Sequence, residues 1–554
     1  LQLNVERATP EQIGLYLPVT RQLAAGSRVT ARFRPSGTSA WRVAHPLLRI
    51  RPEWSEGSAP VRPVDSFAGT IFDLTPGTLY EVEITLDEPG RPAQSLIAPT
   101  ATRALPAPAP APTQFATTAD NLQTKLSALS AGDVLELDNG TYNVSGLFMA
   151  RSGTADRPIY VRGKSRSGVV LRANGTVLQL RDASNVVIEN LTLQGTGVDS
   201  GTAASSVGVS LWNGAVQQNV TLRDMDIRGV DMGIVGSGVA RGVLVYNCDL
   251  RGNNQWNSTF LDSNLTWNDD GIRLPGEGNA AFENTLEGFG DSFAVVNGVP
   301  SVGIYFYRNR INMTGDDAFE ADYGTRNIAI YDNYIANAAT FLSLDPVWGG
   351  PLYGFRNVVV NTFRGPFKFN NTNTGFMIYS NTIVRTEGRT GWGWVQFNDG
   401  PLRSWSYRNN LLIYRGGGTQ LLAIESSGNS PIDFTHNAWF PDGQVWWSNS
   451  GGSFGSIGAA RSGLAGTTPV FSSTTVRHEA DVITVSDPFV SPIALGTSHL
   501  TQYTAGIVPA LRTGVSPKNA GTPIPNITDG FSGAAPDIGA IIEGRPTPRY
   551  GATR

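Results

Sequence analysis

The 554-residue chain is poor in cysteine, lysine and histidine, and each scarcity removes a class of chemistry. Cys248 is the single cysteine, so no intrachain disulfide can form and Cys-rich metal centres are excluded. Its neighbours Val243, Val245 and Leu250 are apolar, which assigns the thiol a buried, apolar role. Only four of the 42 basic residues are lysine, namely Lys125, Lys164, Lys368 and Lys518, so a lysine set in a cleft would stand out. The four histidines (His45, His436, His478, His499) lie away from the acidic residues between 268 and 320 and read as surface or core residues. Charged residues are 16% of the chain, the formal net charge is −4, and no long run of one sign occurs. That argues against a disordered or nucleic-acid-binding chain. It also leaves no long-range field to attract an acidic polymer, which would have to be met by local basic groups. No apolar run approaches the roughly 20 residues needed to span a membrane. The first residue is Leu1, which a removed leader and an artificially trimmed N-terminus explain equally, and the expected location is secreted or periplasmic.

Residues 1–103 read as a small β-sandwich. Alternating runs recur there, as in Val29-Thr30-Ala31-Arg32-Phe33 and Tyr80-Glu81-Val82-Glu83-Ile84. The stretch Leu74-Thr75-Pro76-Gly77-Thr78-Leu79-Tyr80-Glu81-Val82 resembles the fibronectin type III pattern around the tyrosine corner, which implies a binding or spacing module. Ala104 to Pro112 alternates proline with alanine, and residues 104–114 are expected to form an extended, semi-rigid linker.

Beyond the linker a repeat dominates. Asn121 to Leu129 has helical spacing of Leu122, Leu126 and Leu129, which predicts a short helix covering the open end of the repeat. Gly132-Asp133-Val134-Leu135-Glu136-Leu137-Asp138-Asn139-Gly140-Thr141-Tyr142 resembles the first turn of many right-handed β-helix proteins. Short strands ending in asparagine then recur at Asn309, Asn333, Asn357 and Asn381, each step being 24 residues. Asn190, Asn247, Asn284, Asn410 and Asn437 are weaker members. A step of this size fits one coil of a parallel β-helix, and a column of amides at one bend can satisfy backbone groups coil after coil. The expected fold is all-β, a right-handed parallel β-helix over 115–545 with a tail at 546–554. Ser516 to Gly521 and Ala535 to Ala540 are similar to the last coil of secreted β-helix carbohydrate enzymes.

Counting from each coil's asparagine aligns the acidic residues. Asp291 is 7 after Asn284, Asp316 and Asp317 are 7 and 8 after Asn309, and Glu320 is 11 after Asn309. Lys368 is 11 after Asn357, in the column of Glu320. Asp270 is expected one coil before Asp291. Stacked carboxylates repel and raise one another's pKa unless a cation sits between them or the pair performs acid–base work.

Gly290-Asp291-Ser292-Phe293-Ala294-Val295 with Gly315-Asp316-Asp317-Ala318-Phe319-Glu320 is similar to the calcium-binding pattern of family nine polysaccharide lyases, with Glu320 where that family has Asp. Pro366-Phe367-Lys368-Phe369 resembles that family's catalytic-lysine strand. The resemblance implies Asp291, Asp316, Asp317 and Glu320 as ligands of Ca²⁺ and Lys368 as the base of a β-elimination on a uronate-containing polysaccharide. Arg273 and Asp270 would be substrate-binding, with Arg273 pairing a sugar carboxylate. Asn268-Asp269-Asp270-Gly271-Ile272 and Gly315-Asp316-Asp317 also resemble polygalacturonase motifs, but the Gly-His-Gly and Arg-Ile-Lys of those enzymes are absent. An inverting glycoside hydrolase and a non-catalytic glycan-binding or adhesive β-helix stand as the alternatives. The expected partner is a polysaccharide bound by a monomer, with no nucleic acid. Trp348, Tyr353, Trp392 and Trp394 are candidates for stacking on sugar rings or in the core.

Overall fold

The computed structural model describes the chain except residues 1, 56–62, 197–205, 213–215, 237, 239, 262–268, 296–297, 372, 387–394, 398–401, 417–419, 426–431, 449–451, 465–484 and 554. The fold is a parallel β-solenoid of about 11 turns, with small antiparallel sheets at the N-terminus. No described helix is long and apolar enough to cross a membrane. The chain divides into two compact units, residues 1–104 with 321–548, and residues 105–320 with 549–554.

In the first unit, residues 1–104 form two four-stranded antiparallel sheets. Arg28–Pro35 alternates strictly, with Val29, Ala31 and Phe33 in the core and the arginines outside. The Tyr80 hydroxyl accepts the Thr75 backbone N–H at 2.9 Å, a tyrosine corner five residues deep. These sheets pack on coils of the same unit. Phe72 sits edge-on to Tyr331, Tyr353 and Phe355, Arg326 meets Glu6 at 2.6 Å, and Gln12 donates to the Tyr331 hydroxyl. Arg356, 2% exposed, is enclosed between Asp332 at 2.7 Å and Asp73 at 3.1 Å. Such a buried cation is tolerable only because carboxylates of both segments neutralise it.

The first coils of this unit follow the 24-residue step, and the ladder continues past them with steps of 29 and 27 residues. Arg326–Tyr331, Trp348–Phe355 and Asn373–Tyr379 pair in parallel, in register one coil apart. At the bend after each strand an outward residue takes positive φ (Asp332, Arg356, Ser380, Asn409, His436), and the next residue is a buried asparagine. Asn333 donates through Nδ2 to Asn357, Asn357 to Asn381, Asn381 to Asn410 and Asn410 to Asn437, each at 2.9 Å. Each Oδ1 also accepts the preceding asparagine's backbone N–H. The side chains thus replace the backbone partners that the bend removes.

The second unit begins with Gln114–Ala116 pairing in parallel with Val134–Leu137. The expected helix is present at Leu122–Ala128, with Asn121 capping through the Thr124 N–H and Leu122 and Leu126 buried. The proline–alanine segment lies against this unit, its carbonyls at Pro106 and Ala107 accepting from Arg223 and that of Ala107 also from the Tyr160 hydroxyl. At the ladder bend the inward residues are Leu191, Met225 and Cys248, then Asn284 and Asn309, all fully buried. Cys248 therefore holds a ladder position with an apolar atom; its N–H donates to Asn284 Oδ1 at 3.0 Å, and burial pushes the thiol up to about 12.

Two expectations need correction. Asn190 and Asn247 are not ladder members: both are the positive-φ residue one position earlier, a conformation asparagine tolerates as readily as it forms ladders. The solenoid also does not run to residue 545. The last described strand is Gly452–Phe454, and residues 485–548 form no regular element in the first unit. They run as a strap over coil turns instead. Tyr503 exchanges hydrogen bonds with Asn337, Thr522 with Asn409, and the Ala540 N–H reaches Thr382.

Candidate metal centre

Three successive coils of the second unit carry the acidic residues. Asp270–Arg273 pairs in parallel with Asp291–Ala294, placing Asp270 opposite Asp291 and Arg273 opposite Ala294. Asp291–Ala294 pairs in turn with the end of Arg310–Glu320, placing Phe293 opposite Phe319 and Ala294 opposite Glu320. The rings of Phe293 and Phe319 stack at 5.2 Å and Ile272 is buried in the same column, so an apolar stack fixes the strands that carry the carboxylates. Gly271 is required here: a Cβ on it would meet Leu286 Cδ2 at 2.6 Å and the Ser292 carbonyl at 2.7 Å.

The structure brings together Asp270, Asp291, Asp316, Asp317 and Glu320. Ligand oxygens of Asp270, Asp291 and Glu320 lie within 4.8 Å of one another, as do those of Asp291, Asp316 and Asp317. Asp270, Asp291 and Asp317 are 2%, 2% and 1% exposed. Asp291 Oδ1 accepts the Asp317 N–H at 3.0 Å. Burial raises the Asp291 carboxyl well above its usual range, and Glu320, Asp316, Asp317 and Asp270 push it further in that order. Burial likewise lifts Asp270 to about 6, against the pull of Arg273. Arg273 is turned to Asp270 at 2.7 Å, with its Nε on the Gly236 carbonyl at 3.2 Å, so the two residues expected to hold substrate hold each other.

An all-carboxylate set at this separation fits a hard divalent cation. Two oxygens on opposite sides of a Ca²⁺ at about 2.3–2.6 Å each would lie about 5 Å apart. Crowding several buried carboxylates together is costly unless positive charge offsets them.

Lys368 lies in the first unit. On Phe367–Phe369 both phenylalanines are fully buried and Lys368 is turned outward, its backbone in register with Ser343 and Gln396. Sequence reasoning missed the polar residues around that strand. Asp322 is buried and accepts from Ser343 Oγ at 2.8 Å and from the Asp345 N–H at 2.7 Å; Asp345 accepts from Asn370 at 2.9 Å and also from Asn371. The available signal was proximity: Asn370 and Asn371 directly follow Phe369, and Asp322 follows Glu320 by two.

Trp348 and Tyr353 are 2% and 0% exposed and so do not offer faces to sugars; Tyr353 is covered by Phe72 and His45. Trp392, Trp394 and His478 lie outside the described residues.

No family model and no curated protein matches the chain. Solved structures similar to it share the fold alone. The family 28 exopolygalacturonase of Yersinia enterocolitica is 14% identical, covers 80% of this chain and 95% of its own, and gives a TM-score of 0.38. Pectate lyase Pel9A is 15% identical over 78% of this chain and 97% of its own, with a TM-score of 0.37. A family 6 alginate lyase, AlyGC, is 13% identical over 61% of this chain and 49% of its own, with a TM-score of 0.40.

Proposed function

We propose that the protein is a polysaccharide-cleaving enzyme, a calcium-dependent lyase acting on an acidic, uronate-containing glycan. The observation that carries this reading is the convergence of four buried aspartates and Glu320 on three adjacent coils. Asp291, Asp316, Asp317 and Glu320 would hold the ion. When bound, Ca²⁺ neutralises a uronate carboxylate and acidifies the proton beside it.

The chain's own residues have three tasks. The aspartates fix the cation and, through the Asp317 N–H to Asp291, hold two successive coils in one spacing. Arg273 offsets the charge of Asp270. Lys368 is assigned as the base that takes the C5 proton. For that it must be neutral, since a protonated amine has no lone pair to take the proton. Elimination then breaks the C4–O bond and leaves an unsaturated uronate at the new end, the leaving oxygen taking a proton.

Carboxylate oxygens within 4.8 Å of one another are closer than the about 6.5–9.5 Å separation of an inverting hydrolase pair, which favours the metal reading over the hydrolytic one. A purely adhesive coil gives no reason to bury the acids. The test is incubation with polygalacturonate and alginate, with calcium or with chelator, followed by absorbance of the unsaturated product. Calcium-dependent absorbance supports the reading. Reducing ends released without that absorbance would assign a hydrolase, and no release at all would assign a binding protein.

A further inference from the structure

A second feature of the residue 105–320 unit is a row of long polar side chains running along the coil axis. Register places Asn143, Arg172, Gln194, Arg228, Arg251 and Glu287 opposite one another on successive coils. Arg172, Arg228 and Arg251 are exposed. Parallel pairing sets adjacent members about 4.8 Å apart. Like charges in direct register repel, so a pair such as Arg228 and Arg251 is unfavourable unless anions neutralise it.

The protein supplies little of that neutralisation. Asp226 is taken by Arg166 at 2.6 Å. Asp249, 7% exposed, meets Arg251 at 3.5 Å, a long contact for an ion pair. Arg172 and Arg228 have no ion pair among the described residues. Arg228 and Arg251 line an open cavity of about 510 Å³ together with Arg166, Asp226 and Asp249. Glu287, next in the row, ends the cationic stretch on the coil that also carries Asp291.

We propose that Arg172, Arg228 and Arg251, with Gln194 between them, form an auxiliary binding track for an acidic glycan chain lying parallel to the coil axis. Guanidinium groups meet carboxylates in planar two-pronged contacts, and Gln194 offers an amide to sugar hydroxyls. A track with one group per coil suits a regular polymer better than a single small anion. The glycan's chemistry rests on the proposed lyase function; the track itself stands on register, exposure and pairing.

The experiment reads binding with the acidic cluster emptied. Full-length protein is run in native gels containing polygalacturonate, or dextran as a neutral control, in EDTA and at rising NaCl. The expected result is retardation by polygalacturonate alone, fading with salt, and weakened about tenfold in the double variant Arg228→Gln/Arg251→Gln, since steering by a local basic surface is lost. Unchanged melting of the variant shows that the fold is intact. Equal retardation of variant and wild type, no retardation of wild type, or equal retardation by dextran would overturn the proposal. Because neither calcium nor turnover enters the measurement, failure of the lyase reading and failure of the track are separate results.

Discussion

Asp317 donates its backbone N–H to the carboxylate of Asp291, one coil away, at 3.0 Å. The bond ties a buried carboxyl to the strand that carries the three other candidate ligands, Asp316, Asp317 and Glu320. It makes the spacing of the cluster a property of the coil and not of flexible side chains.

Calcium should therefore stabilise the fold as well as enable turnover. A ligand at 100 times its dissociation constant adds about 2.7 kcal/mol. Melting followed by calorimetry should show a rise on adding calcium that EDTA reverses. Asp291→Asn should abolish that rise, yet melt in EDTA at or above the wild-type temperature, because it removes the carboxylate most opposed by its neighbours. A variant that keeps the calcium-dependent rise would remove Asp291 from the site.

Lys368→Ala should lower turnover by about 10²–10⁴-fold, the contribution of a positioned base. Lys368→Arg should be nearly as damaging, since guanidinium stays protonated. Rates are read from product absorbance, with circular dichroism as the control for folding. Full activity in the arginine variant would end the proton-abstraction role.

The asparagine ladder carries a stability prediction. Asn357 Oδ1 accepts from the Asn333 N–H at 3.1 Å and its Nδ2 at 2.9 Å, while Asn357 Nδ2 donates to the Ile330 carbonyl and to Asn381. Asn357→Ala leaves several buried groups unmade, at about 1–3 kcal/mol each before relaxation. Denaturant melts should show a loss of about 3 kcal/mol or more. A loss under about 1 kcal/mol would mean that water replaces the amide.

His45 gives a pH dependence. Its ring lies against Tyr353 and Tyr379. Burial lowers its pKa to about 4, with Pro46 accepting a bond that opposes the shift and Arg408 adding to it. The unfolded chain takes up the proton near pH 6.5. The contribution to stability is thus complete above about pH 6.5 and is lost as pH falls towards 4. His45→Gln should flatten the melting-temperature profile across that window; a profile parallel to wild type would discount the histidine.

The coil was legible because it repeats. A 24-residue step and a terminal asparagine mark Asn333, Asn357 and Asn381, and counting from the ladder set Asp291 beside Asp316 and Asp317. Asn190 and Asn247 misled because an isolated asparagine serves equally as ladder amide or left-handed residue, and only the bend decides. Trp348 and Tyr353 were ambiguous for another reason: alternation tells which side of a strand faces out, not whether another segment covers it. Phe72 covers Tyr353 from a separate stretch of chain. The docking of Glu6, Gln12 and Asp73 left no periodic trace, since single polar contacts across hundreds of residues obey no repeat.

That docking has a consequence for the order in which the molecule can be completed. Residues 1–104 leave the ribosome before the coils on which they dock. Glu6 meets its arginine 320 positions later and Gln12 its tyrosine 319 positions later. Asp73 waits 283 positions for Arg356, and the Phe72 backbone 454 for Asn526. During synthesis these docking partners are missing while hundreds of residues are still being made. A segment translated early is thus among the last to reach its final surroundings.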